Sequence, residues 1–112
     1  MLTSKSVIIT SKENGNTITL DFLHVKESAL ILRAMNHNLR QEIMKLIDGD
    51  GKMTVTEIYV KLRLEQSVVS QHLAVLRRSN IVETKREGKF IYYAINYDRV
   101  AEINRFVEAF IA

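Results

Sequence analysis

Placed at 100° intervals, residues 66 to 79 sort into two opposed helical faces. Val69, Leu73 and Leu76 cluster within about 60° and form an apolar stripe. Opposite them stand Ser67, Ser70, Gln71, Ala74 and Arg78, with Gln66 opening the stretch and Arg77 near its end. A solvated face normally mixes glutamate with lysine, because i,i+4 pairs and high helix propensity favour both. This face instead carries short hydroxyl and amide groups and no acid. Such groups let a helix approach a groove closely and offer donors and acceptors to base edges and phosphates. The plain alternative is a merely polar surface.

A second group of candidates is cationic. Residues 61 to 90 hold seven bases (Lys61, Arg63, Arg77, Arg78, Lys85, Arg86, Lys89) and three acids (Glu65, Glu83, Glu87), a balance of +4, whereas the other 82 positions hold nine bases and ten acids. The positive balance of the chain therefore lies in about one quarter of it, and a polyanion would meet that quarter. Ile81 to Arg86 and Lys89 to Ile95 read as a hairpin turning around Glu87-Gly88. Lys85, Arg86 and Lys89 at its tip could reach an anionic backbone or a minor groove. Lysines that merely protect an exposed strand edge are the competing reading.

Other chemistries find little support. The chain has no cysteine, which removes disulfides, zinc ribbons and thiol nucleophiles together. His24, His37 and His72 are far apart in sequence, and none has a histidine four positions away. Asp48-Gly49-Asp50-Gly51 suggests a calcium loop, but the twelfth loop position, where a bidentate glutamate belongs, is Tyr59. A glycine C-cap followed by a turn explains it better. There is no glycine-rich phosphate loop and no histidine with a carboxylate at a recognisable catalytic spacing, so an enzyme is disfavoured. No metal site and no cofactor are expected.

The elements that must hold these residues follow from periodicity. Val7 to Glu13 and Asn16 to Phe22 flank Asn14-Gly15, which predicts an N-terminal hairpin with a two-residue type I′ turn, residue 13 facing 16. Val7, Ile9, Ser11, Ile18, Leu20 and Phe22 would share a face; a mobile arm is the alternative. Three- and four-residue apolar steps then predict helices over about 26 to 36 and 39 to 48, the second capped by Asn38 with Gln41 as capping-box partner. Thr54-Val55-Thr56-Glu57 is another capping box, opening a short helix to about Arg63, and the 66 to 79 helix follows. Asn80 suits the left-handed position after that helix. Residues 97 to 112 form a last helix capped by Asn96, with Asp98 near the positive end of its dipole. Its Val100, Ile103, Phe106, Val107, Phe110 and Ile111 make a stripe broader than so small a core requires. With Leu30 and Ile31, that stripe is expected to pair two copies about a two-fold axis; burial within one chain is the alternative.

With 112 residues, 46% apolar and 26% charged, the chain has the size and composition of one globular domain. The expectation is residues 1–25 as a hairpin or arm and 26–112 as a mainly α domain with a small β component. No apolar run approaches the length of a membrane span or a signal-peptide core, so a cytoplasmic location is expected.

Helix, helix, helix, turn, helix, two-stranded wing, helix is the order of a winged helix-turn-helix. Gln66-Ser67-Val68-Val69-Ser70-Gln71-His72-Leu73-Ala74-Val75-Leu76-Arg77, followed by Glu87-Gly88-Lys89-Phe90-Ile91-Tyr92-Tyr93, resembles the recognition helix and wing of the ArsR-type bacterial repressors, and the likeness spans about 26 to 112. It implies a homodimeric, sequence-specific regulator of transcription that binds double-stranded DNA at a near-palindromic site, with the 66 to 79 helix in the major groove. Ser67, Ser70 and Gln71 match the motif's DNA-facing positions, and Arg86 and Lys89 match its wing. His72 matches a structural position. Three departures stand out. The Asp-Pro-x-Arg that often opens the family's second helix is His37-Asn38-Leu39-Arg40 here, Glu65 replaces a capping serine, and the N-terminal hairpin is not a usual family feature. Metal-sensing members carry thiolates near the third helix or Asp/His and His/Glu pairs on the last; this chain lacks cysteine, and 97 to 112 lacks histidine. The contrasting reading is a protein-interaction module that uses the scaffold without DNA.

Overall fold

The computed structural model describes residues 6–112; the first five residues of the expected N-terminal arm lie outside that range. The chain divides after Arg33 into two compact units.

In the first unit, β1 (Ser6–Thr10) and β2 (Thr17–Asp21) form an antiparallel hairpin that runs directly into α1 (Phe22–Met35). Residue 13 does not face 16. Val7 pairs with Leu20, Ile9 with Ile18 and Thr10 with Thr17, two places from the expected register. A four-residue loop replaces the two-residue turn: Ser11 N–H donates to Asn16 O at 2.8 Å and Gly15 N–H to Ser11 O at 3.0 Å. A type I′ turn needs positive φ at both central residues, whereas here Gly15 alone takes it, at 74°, and Asn14 Oδ1 accepts from Asn16 N–H at 3.0 Å. Because the slip is an even number of residues, Val7, Ile9, Ser11, Ile18 and Leu20 still share a face. Phe22 does not extend the strand. Asp21 ends β2 and starts the helix, its Oδ1 accepting from Leu23 N–H at 2.9 Å, so α1 begins four residues before the expected position 26.

The second unit holds the end of α1, then α2 (Asn38–Asp50), α3 (Val55–Leu62), α4 (Gln66–Arg78), β3 (Val82–Glu87), β4 (Phe90–Ile95) and α5 (Tyr97–Ile111). Asn38 does not cap α2. His37 does, its Nδ1 accepting from Leu39 N–H at 3.1 Å, and Gln41 turns away from a capping box to donate to the Met35 carbonyl. At the other end α2 runs on to Asp50, and Gly51 closes it with φ 86°.

The capping box of α3 forms as the spacing predicts. Thr54 Oγ1 accepts from Glu57 N–H at 3.2 Å, and Glu57 Oε1 accepts from Thr54 N–H at 3.0 Å. Thr54→Ala is expected to lower unfolding free energy by about 0.5–2 kcal/mol, read as a lower urea midpoint at unchanged slope. Helix α4 ends in a Schellman arrangement around Asn80, whose φ is 60°. Asn80 N–H reaches Arg77 O and Ile81 N–H reaches Leu76 O, each at 3.0 Å, while Leu76 and Ile81 are both fully buried.

The core of this unit is the meeting of α2, α3, α4 and the base of the β3–β4 hairpin. Ile43 and Ile47 come from α2, Ile58 from α3, Val69, Leu73 and Leu76 from α4, and Met53, Ile81 and Val82 from the connections and β3; all are essentially inaccessible. Met53 also joins the sheet edge, exchanging backbone hydrogen bonds with Tyr93 at 2.7 and 3.0 Å. From α5, Ile103 is buried, whereas Phe106, Phe110 and Ile111 remain exposed. Among the described residues no helix is long and apolar enough to cross a membrane.

Candidate nucleic-acid interface

Burial of Val69, Leu73 and Leu76 fixes the rotation of α4. With that stripe inward, Gln66, Ser67, Ser70, Gln71, Ala74, Arg77 and Arg78 are exposed, as the projection requires. No acid lies within α4, and its two arginines occupy the last turn, where they complement the helix dipole. Glu65 stands at the N-cap position, but its side chain makes no capping hydrogen bond. The leading end of the helix therefore keeps amide donors that the protein itself does not satisfy with a side chain, the feature by which helix N-termini attract phosphate.

The β3–β4 wing supplies the second set of bases. Its strands pair from Val82 with Ile95 to Glu87 with Phe90, so the two-residue turn is Gly88-Lys89, one place later than the expected Glu87-Gly88. Gly88 takes φ 63° while Lys89 does not turn positive, the pattern of a type II′ turn, in which only the first central residue must do so. Lys85, Arg86 and Lys89 are all exposed, but they do not form a single cluster. By strand alternation Arg86 shares a face with its partner Ile91, and Lys85 shares the other with Tyr92. Arg86 Nε donates to Gly88 O at 3.2 Å, folding the guanidinium over the turn. Lys89 Nζ lies 5.4 Å from the Phe90 ring centroid.

Two features of this surface escaped the sequence reading. Lys52, in the α2–α3 connection and outside the charge-rich window, pairs with Glu87 and lies 4.7 Å from the Tyr92 ring centroid. Its hydrogen bond to Glu87 raises the lysine pKa above the ordinary value. The pair offsets the acid nearest the wing tip, and with the Met53–Tyr93 bridge it ties the wing to the start of α3. The second feature joins helices. Arg40 is only 9% exposed. Its Nε donates to Ala34 O at 2.7 Å, and its NH1 meets His72 Nδ1, on α4, at 3.2 Å. The available signal for Arg40 was its place three and seven positions before Ile43 and Ile47, on the inward stripe of α2; a partner 32 positions on has none.

The expected pairing residues are less uniform. Leu30, Phe106, Phe110 and Ile111 are exposed, Ile31, Val100 and Val107 are half-buried, and Ile103 is 7% exposed. Ile103 thus has little surface left to offer a second chain. Phe106 and Phe110 stack with centroids 5.7 Å apart, and Arg99 anchors the other end of α5 by donating to Ser79 O at 3.0 Å. Among the described residues, no three histidine, aspartate or glutamate side chains approach closely enough to hold a metal ion.

Comparison with known proteins gives a consistent result. Residues 37–84 match the family described as bacterial regulatory protein, arsR family. A transcriptional regulator of the HTH type from Methanocaldococcus jannaschii is 35% identical over 74% of this chain and 93% of its own length. Transcriptional repressor PagR of Bacillus anthracis is 33% identical over 75% of this chain and 84% of its own. The crystal structure of PagR aligns with a TM-score of 0.62, covering 77% of this chain and 98% of that one. The transcriptional activator HlyU of Vibrio cholerae is 34% identical over 66% and 68% of the respective lengths. These are regulators of transcription, not enzymes.

Proposed function

This protein belongs to the arsR family of bacterial regulatory proteins, and from that membership we propose that it is a dimeric, sequence-specific repressor of transcription that binds double-stranded DNA and does not use the metal ligands of the family's metal sensors. The supporting observation is the outer face of α4, an exposed run of serine, glutamine and alanine free of acid, together with the exposed bases of the wing. In this reading Ser67, Ser70 and Gln71 read base edges. Gln66, Arg77, Arg78, Lys85, Arg86 and Lys89 meet the sugar-phosphate backbone. Residues 26–112 form the DNA-binding and dimerisation domain, and the exposed apolar side of α5 joins two copies. Their α4 helices would enter successive major grooves about 34 Å apart on a near-palindromic operator. Repression follows from occlusion of a promoter; the family relatives include both repressors and an activator.

Affinity for a short duplex should fall linearly with the logarithm of salt concentration, with a slope of about −0.9 per phosphate neutralised. Arg86→Ala and Lys89→Ala should each make that slope shallower by about one, measured by fluorescence anisotropy on a duplex drawn from the region upstream of the protein's own coding sequence. Absence of duplex binding at low salt, or wing variants that bind unchanged, would leave the protein-interaction module as the better reading.

A further inference from the structure

His37 and His72 lie with ring centroids 4.7 Å apart, both in contact with the α2 segment that carries Arg40. A guanidinium has no lone pair to accept with, so His72 Nδ1 must be the acceptor from Arg40 NH1, and its proton sits on Nε2. His37 Nδ1 is equally committed, accepting from Leu39 N–H at 3.1 Å and, more weakly, from Arg40 N–H at 3.5 Å. The fold therefore needs a bare Nδ1 on both rings. A proton on His37 Nδ1 would set an N–H against the two N–H groups it caps, and one on His72 Nδ1 would set an N–H against a guanidinium.

The surroundings of His72 make such a proton costly there. The charged or titratable groups that bear on His72 are His37, at the N-cap of α2, and Arg40, within α2, both basic. From the end of α1 come the carbonyls of Ala34 and Met35, which accept from Arg40 Nε and His37 N–H and carry no charge. Burial first, then His37 and Arg40, hold the His72 imidazole below the ordinary histidine pKa. A chain with this contact broken binds protons more readily than the intact fold, so the contact is at full strength above the ordinary histidine pKa and weakens as pH falls below it.

We propose that the proton is an effector of this regulator, bound by His72 where it faces His37 and Arg40, and that its uptake frees α4 from Arg40 and releases DNA. This inference rests on the DNA-binding reading above, but its sign is its own. Adding positive charge beside a polyanion would by itself tighten binding as pH falls, whereas breaking the α2–α4 contact loosens it.

The test measures anisotropy of a fluorescein-labelled duplex from the upstream region, at constant ionic strength, for wild type and for the H37N/H72Q double variant, whose amides accept without titrating. Between about pH 7.5 and pH 5.5, wild type should lose about tenfold or more in affinity, and the double variant less than about twofold. Equal or tighter wild-type binding in acid, or an equal loss in the double variant, overturns the proposal. Failure of the DNA reading looks different: no binding at the higher pH. Melting followed by circular dichroism then decides, with a larger acid-induced fall in Tm expected for wild type than for the variant and an equal fall overturning the proton site. If the double variant does not fold, His72→Gln alone takes its place, since its amide accepts from Arg40 without titrating; it should blunt the acid loss, and an undiminished loss refutes the role of His72.

Discussion

Ser70→Glu is expected to weaken duplex binding by more than about a hundredfold while leaving the melting temperature unchanged or slightly higher. Ser70 is exposed at the middle of the acid-free face of α4, the place a groove-bound helix would bring closest to the bases and their flanking phosphates. A carboxylate set against phosphate in a desolvated interface costs several kcal/mol, and about 2.7 kcal/mol already corresponds to a hundredfold. Stability should not follow, because glutamate has a higher helix propensity than serine and the position packs against nothing. Anisotropy titration beside a thermal melt separates the two effects. Retained affinity in a well-folded Ser70→Glu protein would remove α4 from the DNA interface.

Leu73→Ala carries the largest expected effect on stability. Leu73 is 0% exposed on the inward stripe of α4, where its removal leaves a cavity among α2, α3 and the wing base. Leucine truncations of this kind cost about 2–5 kcal/mol, against a total that for small domains is only about 5–15 kcal/mol. Urea unfolding should show a midpoint reduced in the same proportion, by about a third at the middle of both ranges, and the remaining folded protein should still present Ser67, Ser70 and Gln71 outward. A loss below about 1 kcal/mol would mean that α4 is not seated as described.

The contrast between these two substitutions shows why α4 is legible in the sequence. Its two faces differ in residue type at a fixed angular period, and burial of one face turns the other outward with no further information. The same holds for the capping box at Thr54 and Glu57 and for the left-handed Asn80, since each is satisfied within a few residues of chain. The N-terminal hairpin marks the boundary of that legibility. Alternation fixed which residues share a face, but the loop could close in more than one way. A four-residue loop that asks positive φ of Gly15 alone displaced the turn that would also have asked it of Asn14.

Local pattern thus determined the order of the elements, the inward stripe of α4 and the chemistry of its outer face. Only the tertiary structure decided what those elements hold between them: Arg40 joined to His72 across 32 positions, Lys52 to Glu87 across 35, and Tyr97 donating to Asp48 across 49 at 2.5 Å. The capping of α2 belongs in the same group. Asn38 and Gln41 had the right spacing for a local box, but His37, held against His72, took the cap and Gln41 turned to the Met35 carbonyl. The physical reason is the same throughout. A helix period or a cap is encoded by neighbours a turn apart, while a hydrogen bond between distant side chains exists only after the core has brought their backbones together.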